Sequence, residues 1–347
     1  MRIRVQRFIA TCLQRDPGQP SVCAMALELA AWQRARNPAY GAFCGQVDPR
    51  AMHEIPALPV ALFRSLPLSC HPEQPPVHLF HTSGTTTGSP GVHRLVDTVT
   101  YDLASAGWFR AWLPDAPSRA ISLLPSPASA PHSSLSHMVG LLYPRARWLA
   151  EATPMADAAA AWEILSQQRE PVFVASTALS LASLLDGTGQ CTLPPGSVLM
   201  TTGGFKGRSL EVEPEGLLRE ASRRLGPGVR LVGEYGMTEL CSQLWSRPWT
   251  PGSAEPLCAR GPFFAPPWLV PIVVDPGSGA PQPVGQRGQL RFVDLANDHS
   301  VLAIETMDLG SLDADGGLLL HGRLPGAAAR GCSLSAEEAL RHSRARR

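Results

Sequence analysis

The sequence predicts an α/β fold: a mostly parallel sheet flanked by helices, with a smaller β-rich part after it. Between residues 77 and 235 short β-like runs alternate with longer helical stretches, the spacing expected of βαβ units. After about Leu244 the helical spacing stops. Proline and glycine crowd residues 246–285, and strand-like pieces follow. A chain of 347 residues suffices for one large domain or two unequal ones with a sizeable core.

Taken in order, Ser21 is placed to cap a helix running to Arg36 and closed by Asn37-Pro38. Residues 38–76, rich in proline and turn formers, read as irregular, so 1–76 form a lead-in. Strands are expected at 77–80, 119–124, 171–174, 197–202 and 230–235, with helices near 97–113, 154–168, 176–185 and 211–224. These make an α/β part over 77–245. Strand-like pieces at 270–274, 288–293, 301–305 and 317–321 make a β-rich part over 246–322, and 323–347 form a tail.

Bulk properties narrow the function classes. A formal net charge of +1 offers no global field for nucleic acid or an anionic membrane, and the basic run Arg341–Arg347 reads as a solvated terminus. The eight cysteines are scattered, with no Cys-x-x-Cys and no metal-ligand spacing. Phe8–Leu13 is too short and too polar at its edges for a signal peptide, and no apolar run is long enough to span a membrane. The expectation is a soluble, cytoplasmic protein with reduced thiols. Of thirty basic residues, twenty-nine are arginine and one is Lys206, which singles that lysine out.

Five segments carry chemistry. The first is the run from His81 to Arg94, in which Thr82, Ser83, Gly84, Thr85, Thr86, Thr87 and Gly88 follow an apolar strand. Glycines admit phosphate oxygens to backbone N–H groups and hydroxyls add donors, although such runs also make plain flexible turns. The second, Thr201-Thr202-Gly203-Gly204-Phe205-Lys206, ends a strand in paired glycines and the lone lysine. In the third, Gly233-Glu234-Tyr235-Gly236-Met237-Thr238-Glu239, read as a strand-to-helix turn, Tyr235 is suited to a base, Thr238 to a phosphate and Glu239 to Mg²⁺. The fourth, Thr306–Gly310, puts Asp308 in a loop, suited to a ribose diol, and the fifth, His321-Gly322-Arg323, offers a guanidinium. Each has an ordinary alternative: Tyr235 as a core aromatic, Glu239 as a helix N-terminal carboxylate, Asp308 as a turn former.

In order and wording these segments resemble the adenylate-forming superfamily of acyl-CoA synthetases, luciferases and peptide-synthetase adenylation domains. Adding Ser133–Met138, Gly203–Gly207 and Arg330-Gly331-Cys332-Ser333-Leu334, residues 77–340 look like acyl-protein synthetases, the fatty-acid-activating components of luminescence fatty-acid reductase systems. The resemblance implies the large-domain fold of that superfamily with its C-terminal lobe absent or truncated. It also implies ATP and Mg²⁺ as cofactors, an acyl-adenylate, and transfer to an enzyme cysteine and then to a partner such as a reductase or carrier protein. Carried over by position, Thr82, Ser83, Gly84, Thr85, Thr86 and Gly88 hold the β- and γ-phosphates, and Gly203, Gly204, Glu234, Tyr235, Gly236, Met237, Thr238 and Asp308 bind the nucleotide. Glu239 holds the metal, and Lys206, Arg323, His137 and Cys332 are catalytic.

Two departures stand out. The superfamily's loop lysine after the proline is replaced by Gly91, leaving His93 or Arg94 to supply its charge, and the loop carries an extra threonine. A ligase for coenzyme A or a carrier protein, with Cys332 a buried small hydrophobe, is one alternative. A non-catalytic nucleotide-binding scaffold subunit is the other. The run Leu135, Met138, Val139, Leu141 and Leu142 fits either an acyl channel or ordinary core.

Overall fold

The computed structural model describes residues 1–14, 21–82, 90–150, 157–203, 213–257 and 259–324. The chain opens with three helices, α1 (Arg2–Gln14), α2 (Val22–Arg36) and α3 (Pro38–Cys44), then a short strand β1 (Leu58–Pro59). A hairpin follows, β2 (His78–His81) and β3 (Val92–Leu95). The α/β part runs α4 (Val99–Trp112), β4 (Ala120–Pro125), α5 (Ser134–Leu142), β5 (Arg147–Ala150), α6 (Ala158–Ser166), β6 (Phe173–Thr177), α7 (Ala178–Asp186), β7 (Val198–Thr202), α8 (Pro214–Leu225) and β8 (Arg230–Tyr235). The remaining strands are β9 (Leu244–Ser246), β10 (Phe263–Phe264), β11 (Leu269–Val274), β12 (Gly288–Asp294), β13 (Ala303–Leu312) and β14 (Leu318–Arg323).

Strands β4 to β8 are parallel, in the order β5-β4-β6-β7-β8. Their apolar runs are buried on both faces, as parallel strands under helices require. Side chains alternate between two cores. Ile121 and Leu123 of β4 join Trp162, Leu181 and Leu218 of α6–α8, while Ala120 and Leu124 join Phe109, Met138 and Val139 of α4 and α5. Met138 and Val139 are thus packed core. Beyond β8 every neighbour pairing in the path is antiparallel, through β9, β10, β14, β13 and β12 to β11, so the β-rich part extends the same sheet.

The lead-in is more ordered than composition implied. Helix α1 buries Val5, Phe8, Ile9 and Cys12, one helical stripe spaced i, i+3, i+4, i+7. Asn37-Pro38 does end α2, but it also starts α3: the Asn37 side chain accepts from Tyr40 N and Pro38 occupies the first turn, where its missing N–H costs nothing. Ser21 stands at the N-cap of α2 without making a capping bond. Helix α5 lies in a serine-rich stretch, with the Ser133 hydroxyl accepting from Ser136 N.

Two local corrections reposition chemistry. Residues 236–240 form a turn, closed by Leu240 N donating to Met237 O, that leads into antiparallel β9 and not into a helix. Asp308 lies within β13 and not in a loop, its Cα paired with that of Arg323 on β14. The register between these strands slips just before that pair: Leu309 faces Gly322 and Gly310 faces Leu320, leaving an extra residue on β14. Gly322 absorbs the bulge at φ +104°. No atom lies within 4 Å of a Cβ built there, so the cost of substitution is backbone strain alone. Gly322→Ala is therefore expected to lower the melting temperature by about 2–4 °C for each kcal/mol of strain. A scan showing no change from wild type would contradict this account of the bulge.

Candidate functional site

The carboxyl ends of β7 and β8 point the same way, and Thr202 and Glu234 are register partners there. The Thr202 hydroxyl donates to Oε2 of Glu234. Both are buried, and burial pushes the Glu234 carboxyl up to about 7, with the Thr202 bond opposing. A Cβ on Gly236 would overlap Oε1 of Glu234, so a larger residue here would have to displace that carboxylate. Gly203, at φ +85°, follows β7 with a left-handed step.

The turn after β8 is fixed from below. Asn297 Nδ2 donates to the Glu239 carbonyl at 2.8 Å, and a ring nitrogen of His93, Nδ1, lies 2.7 Å from the Thr238 carbonyl. His93 Nε2 is 3.0 Å from Ser300 Oγ and 3.1 Å from Asn297 Oδ1. Asp294 accepts from Cys241 N at 2.8 Å and from Ser242 Oγ at 2.7 Å, and burial raises its carboxyl to about 6. Glu239 itself is 3 % exposed.

The same turn is tied to the hairpin. Thr238 Oγ1 donates to the His81 carbonyl at 3.3 Å on β2, while His93 reaches it from β3. Thr82 N donates to Gly91 O at 2.9 Å, and Gly91 N returns a bond to Thr82 Oγ1 at 2.8 Å. A Cβ at Gly91 would press on Thr82 and Phe63 at 3.1–3.3 Å, so a side chain at this position, which lacks the superfamily's lysine, would have to push those neighbours aside by a few tenths of an ångström. His93 does not replace that lysine. It is buried, its imidazole pKa is lowered by burial, and it is occupied by Thr238, Asn297 and Ser300. Arg94 is half-buried on β3, its guanidinium 3.5 Å from the Val92 carbonyl. The strand that empties into the phosphate-type loop is one arm of a two-stranded sheet, not a member of the parallel sheet.

A second group lies at the end of β8. Tyr235 OH donates to Asp308 Oδ2 at 2.9 Å, and Arg323 Nε lies 3.1 Å from Asp308 Oδ1. The Tyr235 ring packs beside Phe263 and Phe292, with centroids 6.0 and 5.8 Å away. Met237 packs against the large core. His137 stands apart on α5, its Nε2 2.7 Å from Asp102 Oδ1.

The structure thus joins Thr82, Thr238 and Glu239 through backbone and side-chain bonds, and separately Tyr235, Asp308 and Arg323. Ser83, Gly84, Thr85, Thr86, Gly88, Gly204, Lys206 and Cys332 lie outside the described residues. Sequence reasoning missed Asp294, Asn297, Ser300 and Asp102. The stretch Asp294–Ser300 reads as a polar surface loop, yet every residue in it is buried. A polar run directly after an apolar strand and directly before another was the available signal.

No protein-family model matches the chain, and no curated protein matches it. Among solved structures it is similar to ATP-bound MatB from Rhodopseudomonas palustris, at 17 % identity and a TM-score of 0.50, covering 71 % of this chain and 47 % of that one. It is also similar to the O-succinylbenzoate coenzyme A synthetase MenE from Bacillus subtilis in complex with AMP, at 22 % identity, TM-score 0.47, and 71 % and 49 % coverage. A third is the amide bond synthetase McbA from Marinactinospora thermotolerans, at 18 % identity, TM-score 0.49, and 71 % and 48 % coverage. The chain spans about half the length of these structures. The MatB likeness supports the expected adenylate-forming large-domain fold. Among the described residues no helix is long and apolar enough to cross a membrane.

The buried Glu234 has a testable consequence. Its folded pKa of about 7 lies above the ordinary 4.5, so the folded state retains a proton the unfolded chain loses between those values. Stability from this group is present below about pH 4.5 and is lost as pH rises through about 7. Urea unfolding from pH 5 to 8 is expected to show a smaller fall for Glu234→Gln than for wild type, a difference on the order of 2–3 kcal/mol. Parallel pH curves for the two proteins would refute the assignment.

Proposed function

We propose that this chain activates a carboxylic acid, a fatty acid by resemblance, with ATP and passes the acyl group to a thiol. The observation that carries the reading is the tether between the Thr238-Glu239 turn and both arms of the hairpin that bounds residues 82–91. It brings the Thr238 hydroxyl, next in sequence to the buried Glu239, to the strand that leads into a glycine- and threonine-rich run. The similarity of fold to ATP-bound MatB supports the same reading.

In the first step a substrate carboxylate oxygen attacks the α-phosphorus of ATP, an O–P bond forms, and pyrophosphate leaves. Asp308, held by Tyr235 and Arg323, is set to accept from the ribose hydroxyls. Thr238 can redirect its hydroxyl from the His81 carbonyl to an α-phosphate oxygen. The donor set fits a nucleotide: one oriented carboxylate for a diol, one hydroxyl, and a loop whose base Gly91 keeps narrow. Glu239 would hold Mg²⁺, which when bound neutralises phosphate charge. Ser83, Gly84, Thr85, Thr86, Gly88, Gly203 and Gly204 as phosphate and nucleotide ligands, and Lys206 as the adenylation cation, rest on the resemblance.

In the second step the Cys332 thiol loses its proton as its sulfur attacks the acyl carbonyl, AMP leaves, and an enzyme thioester forms for delivery to a reductase or carrier protein. Pyrophosphate exchange that depends on added acid tests the first step, and Asp308→Ala is expected to reduce it by about 100-fold. Exchange that ignores both the acid and this substitution would dismiss adenylation. Labelled fatty acid with MgATP, run on a denaturing gel, tests the second step. Hydroxylamine-sensitive label that disappears in Cys332→Ser is expected, whereas acyl-coenzyme A without protein label would move the acceptor off the chain.

A further inference from the structure

The strand order β5-β4-β6-β7-β8 reverses at β4: the chain steps outward to β5, then returns past β4 to β6. The crevice outside the carboxyl ends of β4 and β6 is therefore the topological switch point, where open α/β sheets bind ligands. On the β4 side of that point, the loop leaving β4 and the segment entering β2 line an open pocket of about 300 Å³. Val77, Leu79, Pro127 and Pro131 give it apolar walls, and His132 and His137 give it imidazoles.

His137 is oriented as a base. Its Nε2 lies 2.7 Å from Asp102 Oδ1, and Asp102 Oδ2 accepts from the Thr98 hydroxyl at 2.8 Å. A carboxylate accepts at that distance, so the neutral form of the ring carries its proton on Nε2 and its lone pair on Nδ1. Among the described residues nothing hydrogen-bonds Nδ1, and the partly exposed ring forms one wall of the pocket. Phe80, Tyr101 and His78 surround the ring, each with its centroid 5.4 Å away. The dyad also adjoins the nucleotide side. Phe80 precedes His81, whose carbonyl takes the Thr238 hydroxyl, and Tyr101 OH accepts from Gln243 beside Gly236.

We propose that His137, positioned by Asp102 and Thr98, is the general base of acyl transfer, and that the pocket beside it admits the acceptor as a neutral thiol. This rests on the adenylation reading above. The thiol S–H proton passes to Nδ1 of His137, sulfur attacks the acyl carbonyl carbon, the carbonyl–O(phosphate) bond breaks, and AMP departs with that electron pair. A free thiol is mostly protonated at neutral pH, so the step needs a base, and an imidazole is matched to it. The titratable groups facing His137 are Asp102 and Tyr101 from α4, His78 from β2 and His132 from the loop before α5. The thiol is either Cys332 or a soluble one, and the chemistry is the same.

The test uses the full chain with MgATP and radiolabelled straight-chain acids from butanoate to hexadecanoate. It measures pyrophosphate exchange and, in the same preparation, thioester formed on the protein or on added N-acetylcysteamine. His137→Ala is expected to lower the ratio of transfer to exchange by about 100-fold, and Asp102→Asn by about 10-fold or more. The transfer rate of wild type should rise with pH along a limb that His137→Ala lacks, and added imidazole should restore part of that variant's rate. Thr98→Val, which removes only the hydroxyl on Asp102, guards against misfolding and should cost about threefold. Variants that melt like wild type yet keep its transfer-to-exchange ratio and pH limb would overturn the proposal. Absence of exchange in the wild type would instead remove the adenylation reading beneath it. Cys332→Ser identifies the thiol: continued transfer to N-acetylcysteamine that still needs His137 supports a soluble acceptor, and loss of protein label supports Cys332.

Discussion

The site depends on one buried polar loop, Asp294–Ser300, and on the hydrogen bonds that the side chains of Asp294, Asn297 and Ser300 make there. An unpaired buried polar group costs about 1–3 kcal/mol, so such a loop tolerates few arrangements. Here Asp294 takes Cys241 N and Ser242 Oγ, Asn297 gives to the Glu239 carbonyl, and Ser300 meets His93. The backbone of the Thr238–Ser242 segment is held by side chains from elsewhere in the chain, and the hairpin through His93 is held with it. Gln33 and Asn37 complete the arrangement by bonding the backbone of Asn297, Leu302 and Ser300. The N-terminal helices are therefore part of the support of the site.

This places the chemistry on rigid material. Thr202 and Glu234 sit at the ends of adjacent parallel strands, and Asp308 and Arg323 are paired across β13 and β14 at a bulge. Neither pair relies on a loop for its position. The separate two-stranded hairpin β2–β3 flanks the glycine- and threonine-rich run, and it is tied to the main sheet side through Thr238 and His93. This double tie, with the bonds between Thr82 and Gly91, holds the residues on either side of that run.

Much of the fold was legible because parallel strands buried on both faces must be continuous apolar runs, and those runs were read at 119–124, 171–174, 197–202 and 230–235, close to β4, β6, β7 and β8. Boundaries of α4, α7 and α8 fell close to their predicted ranges for the same reason. Helix α1 escaped because three arginines masked a sound i, i+3, i+4, i+7 stripe. Helix α3 escaped because Asn-Pro signals an end and a beginning equally well. Residues 236–240 looked like a helix start because glycine, threonine and glutamate suit a first turn, but Gly236 serves the close approach of Glu234.

The amino-acid sequence by itself determined the βαβ alternation, the chemical types gathered at Thr82, Tyr235–Glu239, Asp308 and Arg323, and the absence of a lysine at Gly91. These are local properties, written in side-chain identity and short-range periodicity. Only the tertiary structure decided that Asp308 faces Arg323 across a bulge, that His93 is a buried strut and not a phosphate cation, and that Asp102 stands behind His137. Those facts depend on pairings between residues 15 to 207 positions apart. Such pairings are set by burial, since a polar group taken out of water must bond whichever partner the packed core brings to it.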